Sequence, residues 1–412
     1  MEKLISKIAV VFFAVVFTTT VSAKNINDDA IKNQLSLLSL KYNFPGVVMS
    51  YKFGNQPIKT VFVGNASIYP IKPMNENTLF PAGSITKSFT ATLILKLVEK
   101  KKFSLDEKMG DIAHEYRGQL YSIISKYPDL KDMTVRELLN HTSGVPQSIN
   151  TDNFKKRFIN NPYKFYSSKK LIDLAMIHKV YFKPGTKGVW SYTNTDYILL
   201  GLIIEDVTGK TLDTNFRSLF LESGIDDLYF ANDGKVPHNA LSRLATGYIP
   251  TTNEDLITKA FVNNRVVSIP GLTNIDAYQI KPMYNLFSPA ASGLIASSSS
   301  LVQWYYCLFE GSMLDAHLRN ELLKTVKNGK YNSAGYGLGV TVHTYPGLGR
   351  VISHDGLQPG YSSIVMYIVK YNLVLAVATN VSTNKVSTYN VSDGSIIQGV
   401  ITNILPRLVD AK

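Results

Sequence analysis

The sequence predicts an α+β protein in which helices flank one antiparallel sheet. Two observations carry this prediction: short β-rich runs separated by turns occupy both ends of the chain, and the middle of the chain has mainly helical patterns. Strands joined by such short turns must pair antiparallel. With 412 residues and 45% hydrophobic content, the chain can also bury a large core.

Both chain ends supply strands to the predicted sheet. After a helical pattern over residues 31–42, the runs "GVVMSYKF" and "IKTVFVGNAS" flank turn residues at 54–57, which predicts a hairpin. Near the other end, turns separate "YGLGVTVH", "GRVISHDG", "YSSIVMYIV" and "LVLAVAT", and an amphipathic helix follows. We therefore assign about 24–103 and 290–412 to the sheet and its flanking helices.

The middle of the chain, about 104–289, is predicted to be a helical insertion. Apolar residues in "VRELLNHTSG", "KKLIDLAMIHKV" and "TDYILLGLIIEDVTGK" recur at helical spacing, and Gly144 and Gly209 are plausible helix ends. Residues 224–289 are rich in Asn, Asp, Thr and Pro and give no firm prediction. A functional site is expected at the seam between the two parts, so that 24–412 form a single catalytic domain.

The first 23 residues are typical of a secretory signal. Lysines precede an apolar run from Ile8 to Phe17, and Val21-Ser22-Ala23 offers small residues for cleavage after Ala23. An uncleaved anchor is the alternative, but the run is shorter than the roughly 20 residues that a spanning helix needs. The sequence therefore predicts a bacterial periplasmic or secreted protein without a transmembrane anchor in the mature chain.

Charge and cysteine content restrict the possible partners. The net charge is +12, and removing two lysines and one glutamate with residues 1–23 leaves 12 − 1 = +11. No block of Lys and Arg is interleaved with aromatics, so we expect a solvated basic surface and no nucleic-acid partner. The single cysteine, Cys307, excludes an internal disulfide and argues against thiolate metal sites; it is expected in the core. We expect no metal and no cofactor.

The stretch "PAGSITKS" places Ser84 three residues before Lys87 at the start of a strongly apolar helix. A serine needs a base within hydrogen-bond reach to become a nucleophile, and residues i and i+3 share a helix face. The alternative is that Ser84 only caps the helix. Ser167 and Ser382 also have lysines at i+3, but neither precedes a helix that must be buried on nearly every side.

Two further patterns follow Ser84 in the chain. Tyr192-Thr193-Asn194 is the only Tyr-x-Asn and precedes a buried helix, and His354-Asp355-Gly356 is the only His-x-Gly and ends a predicted strand. Taken singly, each has a plain structural explanation: a buried tyrosine, a helix cap and a core histidine.

With these patterns in this order, the chain resembles the penicillin-recognising serine hydrolases, in particular the class C β-lactamase and D-Ala-D-Ala carboxypeptidase branch. The resemblance runs through most of the mature chain. It includes "LFPAGSITKSFTATLILKLVEKKKFSLDEKM", "TVRELLNHTSGVP", "FKPGTKGVWSYTNTDYILLGLIIEDVTGKTL", "ASGLIASSSSLVQW", "YGLGV" and "HDGLQPGYSS".

The resemblance implies roles for residues that match the family's motifs. Ser84 would be the acylated nucleophile and Lys87 its proton acceptor. Tyr192 would pass protons to the leaving group and activate the deacylating water, while Asn194 would orient the substrate amide or Lys87.

The resemblance also implies a strand edge opposite Ser84. His354 and Gly356 would lie on that edge, and the N–H groups of Ser84 and Leu357 would form the oxyanion hole. No metal or cofactor is implied.

Departures from the family pattern bear on the substrate. Class C β-lactamases have lysine where this chain has His354, and Asp355 stands where a small or hydroxyl residue often helps to bind a carboxylate. Asp196 stands where the family often has glycine, in a place where an acidic residue is favourable near a helix start.

The sequence therefore predicts a hydrolase of amides or esters, first a D-Ala-D-Ala carboxypeptidase-like or β-lactamase-related enzyme acting on a small molecule or peptide such as peptidoglycan. The alternatives are a carboxylesterase of the same fold, a weak class C-like β-lactamase, and a catalytically silent peptidoglycan-binding protein. A Gly-x-Ser-x-Gly hydrolase and a zinc protease are disfavoured because neither motif occurs.

Overall fold

The computed structural model describes residues 28–42, 44–150, 152–161, 164–231, 236–250, 277–280, 289–327, 334–382 and 399–410. The predicted signal segment lies outside the described residues, as does most of 224–289. Within the described ranges, no helix is long and apolar enough to cross a membrane.

A nine-stranded sheet forms the centre of the described structure. In spatial order its strands are β3, β2, β1, β14, β13, β12, β11, β10 and β9, and every neighbouring pair is antiparallel. They are β1 Gly46–Phe53, β2 Lys59–Ile68, β3 Ile71–Pro73, β9 Val326–Lys327, β10 Ala334–Tyr336, β11 Thr341–Tyr345, β12 Gly349–Gln358, β13 Tyr361–Ile368 and β14 Leu373–Thr379. The hairpin and the four C-terminal runs predicted from the sequence are all present in this sheet.

Helices account for most of the rest of the described chain. They are α1 Asp28–Tyr42, α2 Thr86–Glu99, α3 Met109–Tyr116, α4 Gln119–Lys126, α5 Val135–Leu139, α6 Asp152–Asn160, α7 Ser168–Ala175, α8 Asn194–Thr208, α9 Leu212–Ser223, α10 His238–Leu241, α11 Pro289–Ser292, α12 Ser298–Phe309, α13 Ala316–Leu322 and α14 Leu405–Asp410. A π-helical turn, Val400–Ile404, leads into α14.

The central sheet is buried on both faces, which explains why its strands are apolar without clear alternation. On one face, Met49, Met366 and Leu375 pack in a cluster with residues of α1 and of the C-terminal helix. On the other face, Val365 and Ala376 belong to a larger cluster that extends through the helical region. Adjacent strand residues point to opposite faces, so the sheet separates two cores.

The predicted fold class is confirmed, with two differences of detail. The predicted helical insertion also contains short strands: β5 Leu228–Phe230 forms a small sheet with β8 Leu294–Ala296 and β4 Phe80–Pro81 from outside the insertion, and β6 Gly247–Pro250 pairs with β7 Ala277–Ile280. Runs of two to four residues are too short to produce a recognisable period. Cys307 is only partly buried at the rim of the larger core, not inside it as expected.

Candidate active site

Ser84 lies on a short 3₁₀ turn, Gly83–Ile85, that runs directly into α2. Neither the turn nor the helix has a side-chain hydrogen bond from its N-cap residue, Ala82 or Ile85, so the Ser84 hydroxyl is not used as a cap. Gly83 has a φ of +56°, a conformation that L residues with a side chain rarely adopt. The turn therefore presents a serine hydroxyl that has no structural task in the helix.

The other Ser-x-x-Lys segments provide a contrast. The side chain of Ser167 accepts a hydrogen bond from the backbone N–H of Lys170, which makes Ser167 the N-cap of α7. Ser382 is buried, but Lys385 lies outside the described residues. The same Ser-x-x-Lys spacing thus has two outcomes. At Ser167 the serine caps a helix, and at Ser84 the lysine amine contacts the serine hydroxyl.

Lys87 is completely buried in the first turn of α2. Its Nζ donates to three oxygens: Oγ of Ser84 at 3.1 Å, Oδ1 of Asn194 at 2.7 Å and the carbonyl of Ala291 at 3.2 Å. Burial lowers the pKa of Lys87 well below its usual value, and the nearby carboxylates of Asp355 and Asp196 offset this only in part. The amine is therefore poised to be neutral, as a proton acceptor must be.

Tyr192 approaches Ser84 from the helical region. Its side chain interacts with Ser84, and its ring centroid is 4.8 Å from Nζ of Lys87. Burial raises the pKa of Tyr192 above its usual value, the interaction with Ser84 lowers it in part, and the carboxylate of Asp355 raises it further. Ser84 is thus in contact with a lysine that tends to lose its proton and a tyrosine that tends to keep one.

Asn194 begins α8 but does not cap it. The cap is Thr193, whose side chain accepts from the backbone N–H of Thr195. The Asn194 side chain is therefore available to accept from Lys87, while the Asn194 backbone N–H donates to Oε1 of Gln147 at 3.0 Å.

Strand β12 passes beside the Ser84 turn at an open edge. Its ladder with β11 ends at the pair Thr341 and Ser353, whereas its ladder with β13 continues to Gln358. A Cβ atom built on Gly83 would lie 2.8 Å from the backbone nitrogen of Leu357, and one built on Gly356 would lie 2.0 Å from the carbonyl oxygen of Ala82. The turn and the strand therefore touch backbone to backbone.

His354 is buried on this strand, and each of its two ring nitrogens has a hydrogen-bond partner within the protein. Nδ1 lies 2.7 Å from the carbonyl oxygen of Asp355, which can only accept, so Nδ1 carries the proton. Nε2 lies 3.0 Å from the hydroxyl of Tyr336, which then donates. Burial, together with Lys87, lowers the pKa of His354 to about 3. His354 is therefore neutral at physiological pH and brings no positive charge to the site.

The deciding comparison is a family model. The model described as "Beta-lactamase" matches residues 25–390, nearly the whole chain. The chain belongs to the beta-lactamase family. Its relatives in this serine hydrolase family include Penicillin-binding protein 4* from Bacillus subtilis (strain 168), 26% identical over 353 residues that are 83% of this chain and 69% of that protein. Protein flp from Staphylococcus aureus (strain MRSA252) is 23% identical over 75% of this chain and 54% of its own length.

Solved structures share the beta-lactamase-family fold over nearly the whole chain. A D-stereospecific amidohydrolase from Streptomyces sp. matches with a TM-score of 0.71 at 22% identity, covering 92% of this chain and 99% of the other. The D-amino acid amidase from Ochrobactrum anthropi SV3 gives 0.72 at 22%, covering 93% and 98%. The penicillin binding protein from Bacillus halodurans gives 0.69 at 21%, covering 90% and 99%.

Within this beta-lactamase-family fold, the structure brings the sequence-predicted residues together from three parts of the chain. Ser84 and Lys87 come from the start of α2, and Tyr192 and Asn194 from the start of α8. His354, Gly356 and Leu357 come from β12. Among the described residues, no cluster of His, Cys, Asp and Glu could hold a metal ion. The arrangement places a hydroxyl, an amine with a lowered pKa, a phenol and a strand edge beside one another, and these are groups that acyl transfer can use.

The sequence did not predict the group of buried side chains that lies behind Tyr192. Asp196, expected only to favour the helix start, is completely buried and bonded to His141 and Ser143. His141 packs against a group of aromatic rings, Trp190, Tyr192, Tyr197 and Tyr336. The motif "NHTSG" was visible in the sequence, but a contact across 55 residues leaves no local signal.

Proposed function

We propose that this member of the beta-lactamase family is an exported hydrolase that forms an acyl-enzyme on Ser84 from an amide or ester and then hydrolyses it. The observation that carries the proposal is the buried Lys87 amine, 3.1 Å from the Ser84 hydroxyl and with a lowered pKa. A buried lysine of this kind is costly to retain unless it is used.

In the acylation half-reaction, Oγ of Ser84 attacks the carbonyl carbon of the substrate and passes its proton to Nζ of Lys87. The carbonyl π electrons move to oxygen, and the N–H groups of Ser84 and Leu357 stabilise the resulting oxyanion. When the electron pair returns and the bond to the leaving group breaks, Tyr192 gives its proton to the leaving nitrogen or oxygen. The proton held by Lys87 then restores the one lost from Tyr192.

Deacylation reverses these roles with water as the attacking group. Tyr192, whose ring centroid is 4.8 Å from Nζ of Lys87, passes the proton of that water toward Lys87, and Ser84 recovers a proton from Lys87 as the acid product leaves. Asn194 holds the Lys87 amine through its Oδ1 and can orient the substrate amide. His354 and Gly356 form the edge along which an extended substrate would lie.

The first substrate we propose is a peptide ending in D-Ala-D-Ala, as in peptidoglycan, or a related β-lactam. The names of the penicillin-binding relatives support this choice. Removal of residues 1–23 as a signal would place the enzyme in the periplasm or outside the cell, where such peptides are found. Expression of the full chain in a bacterial host, followed by N-terminal sequencing of the exported protein, tests this: Lys24 as first residue supports export, and an intact Met1 in the cytoplasm contradicts it.

A second substrate class is an amide that carries an ammonium group, such as an amino-acid amide. Asp355 is the observation that favours it, because its carboxylate lies on the β12 edge and acts on both Lys87 and Tyr192. A carboxylate there would attract an ammonium group and repel the terminal carboxylate of a D-Ala-D-Ala peptide. Asp355→Thr should therefore lower the rate with D-alanine amide and raise it with the peptide, and an unchanged ratio of kcat/KM values would exclude this role.

The test of acyl-enzyme formation compares wild type, Ser84→Ala and Ser167→Ala with fluorescent penicillin, p-nitrophenyl acetate and a D-Ala-D-Ala peptide. Ser167→Ala is the matched control because it removes a serine with the same Lys spacing. We expect wild type and Ser167→Ala to turn over at least one substrate and to give an acyl adduct on Ser84 by mass spectrometry. Turnover that survives in Ser84→Ala would overturn the proposal, and complete inactivity of wild type would favour a binding protein.

A further inference from the structure

His141 has an unusual conformation for a buried residue. It is completely inaccessible to solvent, and its φ of +63° lies in the left-handed region. Residues other than glycine hold this conformation only where the surrounding structure fixes it, and such residues cluster at functional sites. His141 follows α5 and lies behind the ring of Tyr192.

The segment that carries Tyr192 is bound to His141 on both sides. The backbone N–H of Ser191 donates to the His141 carbonyl at 3.1 Å, and the N–H of Thr193 lies 3.5 Å from Nδ1 of His141. Between these contacts, the ring centroids of His141 and Tyr192 are 4.4 Å apart. Backbone and side chain of His141 therefore restrict the position of Tyr192 from behind.

His141 is itself fixed to the helix that presents Asn194. Its Nδ1 lies 2.9 Å from Oδ2 of Asp196, and the other carboxyl oxygen of Asp196 accepts from Oγ of Ser143 at 2.6 Å. Asp196 is in the first turn of α8 and is also completely buried. The hydrogen bonds that join Ser143, Asp196 and His141 thus connect the start of α8 to the segment just before it.

One ring nitrogen of His141 argues against a role in packing alone. Within the described part of the chain, Nε2 of His141 is buried and has no hydrogen-bond partner. A buried polar atom without a partner costs stability, so filling the space behind Tyr192 does not by itself account for a nitrogen at this position. Burial also lowers the pKa of His141, so its ring is neutral among the aromatic side chains that surround it.

We propose that His141 is a positioning residue that holds the Tyr192 hydroxyl in line with Ser84 and the leaving group. The inference rests on the proposed function, in which Tyr192 protonates the leaving group. If so, the consequence of moving Tyr192 depends on the substrate: a p-nitroanilide leaves poorly without a proton, whereas p-nitrophenolate is a good leaving group that needs little help.

The experiment measures acylation of wild type, His141→Asn, Tyr192→Phe and the double variant with D-alanine p-nitroanilide and p-nitrophenyl acetate. Asparagine tolerates a positive φ and keeps a polar atom in place of Nδ1, but it removes the ring behind Tyr192. We expect His141→Asn to slow the anilide by about 10- to 100-fold and the ester several-fold less. In the Tyr192→Phe background the same change should cost nothing further, because groups that act as a unit are not additive.

Two additional variants keep the test decisive. His343→Asn removes another buried histidine, on β11 and stacked on Tyr345 at 5.3 Å, and should reduce both substrates equally or not at all. If His141→Asn does not fold, Asp196→Ala removes the carboxyl group that holds the ring of His141 and should give the same preferential loss of the anilide.

Equal losses on both substrates, or a full additional loss in the Tyr192→Phe background, would overturn the positioning role while leaving the proposed function intact. If Tyr192→Phe itself changed neither substrate, the proposed role of Tyr192 would fail first.

Discussion

At the scale of single residues, the amine of Lys87 illustrates how this site gives up stability for reactivity. Removing an ammonium group from water is expensive, and the protein meets that cost by letting the group become neutral and by giving it three oxygen acceptors. An apolar side chain of similar length would fill the same space without a charge to desolvate.

We therefore expect Lys87→Met to separate acylation from folding. The rate of labelling by fluorescent penicillin or p-nitrophenyl acetate should fall by at least about 100-fold, since no other base contacts Ser84 in the described structure. The free energy of unfolding in urea should fall by no more than about 1 kcal/mol, because the lost hydrogen bonds are offset by the removal of a buried amine. Parallel loss of labelling and stability would identify Lys87 as a structural residue.

The sequence was most informative about residues that carry a motif. Ser84, Lys87, Tyr192, Asn194 and His354 could be proposed as site residues because their order along the chain is distinctive. The protonation states and tertiary contacts of these residues could not be predicted. Nothing in "SHDGL" indicates that His354 is neutral or that both of its ring nitrogens have hydrogen-bond partners. Protonation depends on burial, and burial is decided by neighbours distant in sequence.

At the scale of elements, the important contact is between the turn Gly83–Ile85 and strand β12. Ser363 on β13 adds a hydrogen bond from its hydroxyl to the carbonyl of Ala82, 3.2 Å away, which holds the turn against the sheet. Because Gly356 and Gly83 have no side chain, the two backbones approach more closely than a Cβ atom at either position would permit.

Gly356→Ala should therefore damage the site more than the fold. Its Cβ would meet the Ala82 carbonyl at 2.0 Å and push β12 away from Ser84, so we expect kcat for p-nitrophenyl acetate to fall by about 100-fold or more. Gly349→Ala, at the other end of the same strand, is the control: it strains a φ of +73°, but the nearest atom to its Cβ would lie at 3.8 Å. The control should lose thermal stability and keep its kcat; loss of kcat in both variants would contradict a local effect.

The elements of the sheet were predictable because strands buried on both faces are long apolar runs between turns. The short strands β4, β5 and β8 were not, since two or three residues carry no period. They matter here, because the backbone N–H of Ala82, just before the Ser84 turn, donates to the carbonyl of Leu294 at 2.8 Å.

At the scale of the whole molecule, the site depends on three distant parts of the chain that meet where strand β12 of the sheet faces the starts of α2 and α8. Acid should therefore affect global stability through the histidines buried there. A histidine whose pKa is lowered on folding stays neutral in the native state while the unfolded chain takes up a proton, so stability is lost as pH falls. For His354 the window extends from 6.5 down to about 3.

We expect the free energy of unfolding of wild type to decrease between pH 7.5 and pH 5, with about 2 kcal/mol of that decrease due to His354. Asp196, whose pKa burial raises, acts with the opposite sign, and His141 acts with the same sign as His354. The difference between wild type and His354→Gln in urea titrations isolates the contribution of His354. A difference that is constant from pH 7.5 to pH 5 would mean that folding leaves the pKa of His354 unchanged.

The backbone contact between Gly83 and Leu357 also has a consequence for how this enzyme can change over evolution. The two proposed oxyanion donors are main-chain groups, so their separation depends on glycine at positions 83 and 356 and not on the side chains of Asp355 and Leu357. The side chains of Asp355 and Leu357 beside them reach solvent. Mutation at these two positions can therefore alter which acyl donor is accepted while the reaction geometry is inherited unchanged, which is one route by which a single scaffold acquires new substrates.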